Sequence, residues 1–210
     1  MATNTLNDFM KWVLPDVHGC PVAVAEQAVL DSSIMFCEEA RAHRAQLDDI
    51  TLVSATATYT VVTPTDTVIS SIIYAGVDGT EVFRSTRDRI QLQVPTWRTE
   101  TGTPTHVIMD DPRTIRTVPV PTGAGTLVLE AYLKPAADAA TVQDFIYEEW
   151  HEAIAYGAKA RLFSMAEKPW TSQNKAESNA IAYASAITAA VSKNDTGHMR
   201  PSRRVRYGGL

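Results

Sequence analysis

The stretch Thr141–Lys193, TVQDFIYEEWHEAIAYGAKARLFSMAEKPWTSQNKAESNAIAYASAITAAVSK, carries two helical patterns parted by a proline. In the first, Val142, Ile146, Trp150, Ala153, Gly157 and Ala160 recur every three or four residues, while Asp144, Glu148, Glu152 and Lys159 take the opposite face. That is the period of an amphipathic helix with one wet side. A glycine inside a helix costs about 1 kcal/mol relative to alanine. Among Ala155, Ala158 and Ala160, Gly157 marks a place where a second backbone passes close by. Pro169 biases Lys168 towards extended backbone, so the helix is expected to stop near Glu167. Trp170 then stands at the corner, and Thr171 or Ser172 can cap the second helix. That helix places Ala176, Ala180, Tyr183, Ile187 and Ala190 on one stripe. A short connection between two such helices predicts an antiparallel hairpin.

Upstream, an apolar cluster of Phe9, Trp12, Val13 and Leu14 ends at Pro15. Pro21 suits the first turn of a helix, and Val22, Ala25, Val29, Phe36 and Ala40 run along one face to about Arg44. Near Ile50 the pattern changes. Thr51–Thr63 alternates Val53, Ala55, Ala57, Tyr59 and Val61 with small polar residues, which predicts a strand with one buried face. Val68–Val77 is a second strand, and Asp78-Gly79 is a strong hairpin signal leading into Glu81–Arg84. A charged loop at Ser85–Arg89 leads to Ile90–Val94. Val107–Met109, Ile115–Val118 and Thr126–Leu133 read as a meander with turns at Asp110–Arg113 and Pro121–Gly125.

The expected class is therefore α+β. An N-terminal helical part (1–49) and a C-terminal helical hairpin (136–196) form a bundle, with an antiparallel β-domain (50–135) inserted and an extended basic arm (197–210) at the end. A chain of 210 residues can bury roughly 70% of its unfolded surface, enough for one large or two small domains. No apolar run approaches the ~20 residues of a membrane span, and Asn4, Asn7, Asp8 and Lys11 interrupt any secretory signal at the N-terminus. Cys20 and Cys37 match no metal spacing and read as reduced core cysteines.

The net charge of −5 conceals an asymmetry. Arg200, Arg203, Arg204 and Arg206 crowd the last eleven residues without an acid; removing those four from the 19 basic residues leaves 15 against 24 acidic, or −9. An acidic body argues against nucleic-acid binding by the fold, and the basic tail suits an acidic partner or DNA phosphates.

Motifs for chemistry are sparse. His151-Glu152 opens like a zinc-protease helix, but that motif needs a second His where Ala155 stands. Glu148 and His151 have the spacing of half a di-iron site, and no second Glu–His pair exists to complete it. Asp110-Asp111 and Glu38-Glu39 are sequence neighbours, which do not face each other across a sugar. They read as a turn and a solvated helix end. No P-loop, nucleophile elbow or dinucleotide glycine pattern is present. Trp12, Trp97, Trp150 and Trp170 read as core or interface anchors ahead of base- or sugar-stacking platforms. These readings predict no catalytic residue, no cofactor and no metal.

Two blocks carry a family resemblance. One is Trp150-His151-Glu152-Ala153, Gly157-Ala158, Ala160-Arg161-Leu162 and Lys168-Pro169-Trp170. The other is Trp97-Arg98-Thr99-Glu100-Thr101-Gly102-Thr103-Pro104-Thr105, Asp110, Pro112-Arg113 and Val118-Pro119-Val120-Pro121, through the strand ending at Pro135. Together they cover about half the chain, and they resemble the head-to-tail adaptor proteins of tailed phages, the group that includes podovirus tail tubular protein A. None of the matched residues is catalytic in that family, so the resemblance implies a scaffold. It implies a virion protein of the neck or tail, assembled in the host cytoplasm into a homo-oligomer, a twelvefold ring. Such a ring joins the portal protein to the tail nozzle or tail-tube protein, and DNA passes through its channel without sequence-specific binding. On this reading Arg200, Arg203, Arg204, Arg206 and Tyr207 dock on the portal, and Trp150, Ala153, Gly157, Ala160 and Trp170 pack between subunits. The competing expectations are another neck or tail-tube subunit and a tail-associated glycan hydrolase built on the β-domain.

Overall fold

The computed structural model of the chain describes residues 3–196. It opens with strand β1 (Thr3–Thr5), a 3-10 turn over Leu6–Phe9 and helix α1 (Met10–Val13), then enters helix α2 (Val22–Ala40). Pro21 precedes the first turn of α2 in extended conformation, at the helix entry where its missing N–H leaves no donor unpaired. The helix stops at Ala40 because Arg41 turns left-handed, at φ 51°. Helix to about Arg44 was therefore too long. His43–Gln46 is strand β2, with His43 and Ala45 buried and Arg44 and Gln46 exposed.

The predicted strand over Thr51–Thr63 divides into β3 (Ile50–Leu52) and β4 (Thr58–Thr60). Between them Ala55 takes a positive φ of 62° and Val53 is exposed. The hydroxyl of Tyr59 holds this loop, accepting from the Val53 N–H at 3.1 Å and donating to the Thr56 carbonyl at 2.7 Å. Local hydrogen bonding thus replaces a ladder that the alternation alone would favour.

β5 (Thr67–Val77) turns through Asp78-Gly79 into β6 (Thr80–Glu81), and β7 (Phe83–Ser85) comes next. Helix α3 (Arg87–Gln93) takes up the last three residues of the expected charged loop and most of Ile90–Val94. Thr86 caps it, its hydroxyl accepting from the Arg89 N–H at 3.4 Å, and Asp88 lies in the first turn, where a negative charge is favourable. The remaining strands are β8 (Thr101–Gly102), β9 (His106–Asp111), β10 (Thr114–Val118), β11 (Val120–Pro121), β12 (Gly125–Pro135) and β13 (Thr141–Gln143).

These strands form two larger sheets. One runs β2-β12-β5-β6, with β3 also on β12, and all its pairings are antiparallel. The other runs β4-β10-β9-β7, in which β7 lies parallel to β9. The short β8–β11 pair is also parallel, so the strand part is not antiparallel throughout. Nor is it a simple meander. β9 and β10 make a hairpin, but β12 leaves them for the other sheet and pairs along β5 from Val77 to Thr67. Pro119 and Pro121 lack the N–H that a continued ladder would need, so the chain departs from β10 there. Leu127, Leu129, Ala131 and Leu133 of β12 are fully buried and join Ile69, Ala75 and Val77 of β5 in the apolar core of this part.

Helix α4 (Asp144–Ser164) begins three residues later than its pattern, because Thr141–Gln143 is taken up by pairing with β1. Asp66 anchors this entry: its carboxylate accepts from Thr141 N–H at 3.0 Å and Thr141 Oγ1 at 2.6 Å. The corner after α4 has Glu167 at φ 57°, and the Thr171 hydroxyl accepts from Lys168 N–H at 3.0 Å and donates to the Met165 carbonyl. Helix α5 (Gln173–Thr196) completes the described chain. A second apolar core joins Phe9 and Val13 to Val29 and Phe36 of α2, Ile154 and Leu162 of α4, and Ile187 of α5.

Candidate functional site

The helices approach one another tightly at Gly157. A Cβ there would lie 2.9 Å from Tyr183 Cε2 and 3.0 Å from Ser32 Cβ, so α2, α4 and α5 meet where only glycine fits. The neighbours are a phenol ring and a serine side chain of the same chain, not a backbone. Tyr183 continues inward and donates its hydroxyl to the Ser32 carbonyl at 2.7 Å. Burial raises that phenol well above its ordinary range.

The other residues assigned to subunit packing sit around this contact. Ala153 is buried inside the chain. Half-buried Trp150 lies between the Phe36 ring, at 5.5 Å, and the Lys193 ammonium, at 5.2 Å. Ala160 borders a shallow groove between α4 and α5, together with Ala176 and Ala180. Trp170 is half-buried at the corner, and its Nε1 is buried without a partner among the described residues.

Outside this contact, α5 presents an exposed face with an unusual composition. From Ser178 to Ser192 it contains no charged residue, and Ile181 is 73% exposed on it. Arg200, Arg203, Arg204, Arg206 and Tyr207 lie outside the described residues.

The groups considered for chemistry are engaged elsewhere. His151 donates Nδ1–H to the Tyr147 carbonyl at 2.8 Å and stacks on Trp12 at 4.6 Å. Asp110 pairs with Arg87 at 2.7 Å. Asp111 closes the β9–β10 turn by accepting from the Thr114 hydroxyl and the Arg113 and Thr114 N–H groups, which together hold its carboxyl below the usual range. Glu38 pairs with Lys134. Cys37 is buried, which pushes its thiol up to about 12, and Cys20 is half-buried. Among the described residues no group of three His, Cys, Asp or Glu is placed to hold a metal. No described helix is long and apolar enough to cross a membrane.

One further feature carries no mark in the sequence. The left-handed turn at Arg41 starts β2 beside the last turn of α5, where Asn194 Nδ2 donates to the Ala40 carbonyl at 2.8 Å. Between α2, β2, β12 and α5 lies a cleft of about 730 Å³. His43 lines it, 1% exposed and edge-on to Phe145 at 5.2 Å, with neither ring nitrogen partnered among the described residues. Burial lowers its pKa to about 4. A lone histidine beside a helix end gives no signal of this, because the cleft exists only once β12 has crossed beside β2.

The family model of the SU10 adaptor protein matches residues 7–206 of the chain. No curated protein matches it.

Proposed function

The chain belongs to the SU10 adaptor protein family of phage head-to-tail adaptors, and from that premise we propose that it joins the portal ring to the tail nozzle or tail tube. The family implies a structural, adaptor role in the virion neck. The single observation that carries the proposal is a match running over nearly the whole chain, so helices, strands and most of the arm belong to one adaptor scaffold.

Copies of the chain assemble into a twelvefold ring. The uncharged face of α5 supports this, since an exposed Ile181 amid alanine and serine can pack closely against a neighbour without stripping water from a charge. Trp150, Ala160 and Trp170 take part at the rim of that contact. Ala153 and Gly157 act indirectly, by setting the spacing of α4 against α2 and α5.

The basic arm docks on the portal. Arg203, Arg204, Arg206 and Tyr207 provide forked donors and an aromatic anchor, and carboxylates on the partner would receive them. DNA threads the channel unread. A body of −9 without the arm's four arginines repels phosphate and keeps the passage free of adhesion. No bond-making step is required of any residue.

Mixing the purified chain with its portal and measuring co-sedimentation tests this. Binding that is lost when Arg203, Arg204 and Arg206 become Ser, with the fold retained, supports portal docking by the arm. Undiminished binding removes the arm from the account.

A further inference from the structure

The cleft between α2, β2, β12 and α5 holds two kinds of unmet polar capacity. Deep in it, the imidazole of His43 has no hydrogen-bond partner among the described residues although it is almost wholly buried. An orphaned buried polar group is costly and calls for a partner. At the rim, two of the three cations are already in ion pairs. Arg44 pairs with Glu130, Lys193 with Glu149 at 2.9 Å, and the Arg41 guanidinium sits over the Tyr132 ring at 5.9 Å. The rim acids Glu39 and Asp195, both exposed, make no ion pair among the described residues. Two unpaired acids against one guanidinium outside any ion pair leave the rim net negative among the described residues, while the wall includes apolar Phe145 and Val191.

The described chain ends at this mouth. Asn194 and Asp195 line the cleft, Thr196 is the last described residue, and Gly197-His198-Met199-Arg200-Pro201 comes next. A glycine just past a helix end is the residue that most readily lets a chain reverse. Four residues beyond Thr196 reach at most about 14 Å, which suffices for a site whose wall includes the preceding turn. No side-chain acid occurs from there to Leu210.

We propose that the cleft is the docking site of the chain's own segment 198–201. Met199 packs against Phe145 and Val191, a backbone carbonyl of the segment accepts from the His43 imidazole, and Arg200 pairs with Glu39 and Asp195. The root of the arm is then fixed on the body, and Arg203 to Tyr207 project from a defined point. This goes beyond the adaptor role and requires no portal.

Oxidation of Met199 by dilute peroxide, followed by peptide mass spectrometry, reads the docking directly in the full chain. The variant Glu39→Lys/Asp195→Lys changes only exposed positions, and Val191→Glu alters the wall. In both variants Met199 is expected to oxidise about tenfold faster than in the unmodified chain, equivalent to ~1.4 kcal/mol of docking. Equal rates in all three proteins overturn the proposal. Protection that disappears on dilution also overturns it, since the segment would then occupy a second copy. Neither outcome touches portal binding, which the co-sedimentation experiment measures separately.

Discussion

The hydroxyl of Tyr183 on α5 donates to the carbonyl oxygen of Ser32 on α2 at 2.7 Å, and the same ring closes over Gly157 of α4. One side chain thus ties three helices, and its tether prevents the ring from moving aside. Gly157→Ala gains about 1 kcal/mol of helix propensity but forces a Cβ to 2.9 Å from the ring, and overpacking of this kind costs roughly 1–3 kcal/mol. The net expectation is destabilisation by up to about 2 kcal/mol in urea unfolding. Tyr183→Phe removes the hydrogen bond at about 1 kcal/mol and frees the ring. The cost of Gly157→Ala should therefore be smaller in the Tyr183→Phe background, and additive effects would refute the tether.

His43 makes stability depend on pH. Its folded pKa of about 4 lies below the ordinary value of 6.5, because burial disfavours the charged ring. Above 6.5 both states are neutral and nothing is lost. As pH falls from 6.5 to 4 the unfolded chain takes up a proton that the folded chain refuses, so stability declines, by about 3 kcal/mol in all. His43→Leu should flatten this part of the curve. Urea titrations of both proteins at about pH 7.5, 5 and 4 measure the difference, and parallel curves would contradict the assignment.

Trp97 should be the residue whose loss most damages the satellite core beside α3. It is 2% exposed, donates Nε1–H to Gln91 Oε1 at 3.0 Å, and has the guanidinium groups of Arg98 and Arg116 over its ring at 4.6 and 4.9 Å. Trp97→Ala is expected to cost about 3–5 kcal/mol. A shift in thermal midpoint equivalent to less than about 1 kcal/mol would show that this cluster contributes little.

Ile181 separates folding from assembly. Exposed in the single chain, it can be changed to Arg with an effect on monomer stability within about 0.5 kcal/mol. If α5 faces a neighbouring copy, native mass spectrometry with portal present should show loss of the ring. A ring that forms normally from Ile181→Arg would move the subunit contact off this helix.

The α+β class was legible because the C-terminal helices declare themselves through a long, regular period. Short elements did not. His43–Gln46 alternates correctly for a strand, but four residues just past a helix that ends in Glu38-Glu39-Ala40 are too few to read. Val53–Ala57 looked like strand because its alternation is real, and only the Tyr59 hydroxyl, arriving from the next strand, makes it a loop. The partner of β12 was hidden for a different reason. Its pairing with β5 joins residues far apart in the chain, such as Leu127 with Val77 and Pro135 with Thr67, and no local pattern encodes which edge a long strand will find. At the candidate site, small residues at Ala153 and Gly157 signalled close packing, but sequence period does not distinguish a neighbour in the same chain from one in another copy.

The most direct test is an image of the chain assembled on its own portal by electron cryo-microscopy. The account predicts a twelvefold ring capping the portal, α5 at the contact between neighbours, and Arg203, Arg204 and Arg206 against portal carboxylates. Copies that stay off the portal, or that bind without touching one another, would contradict it.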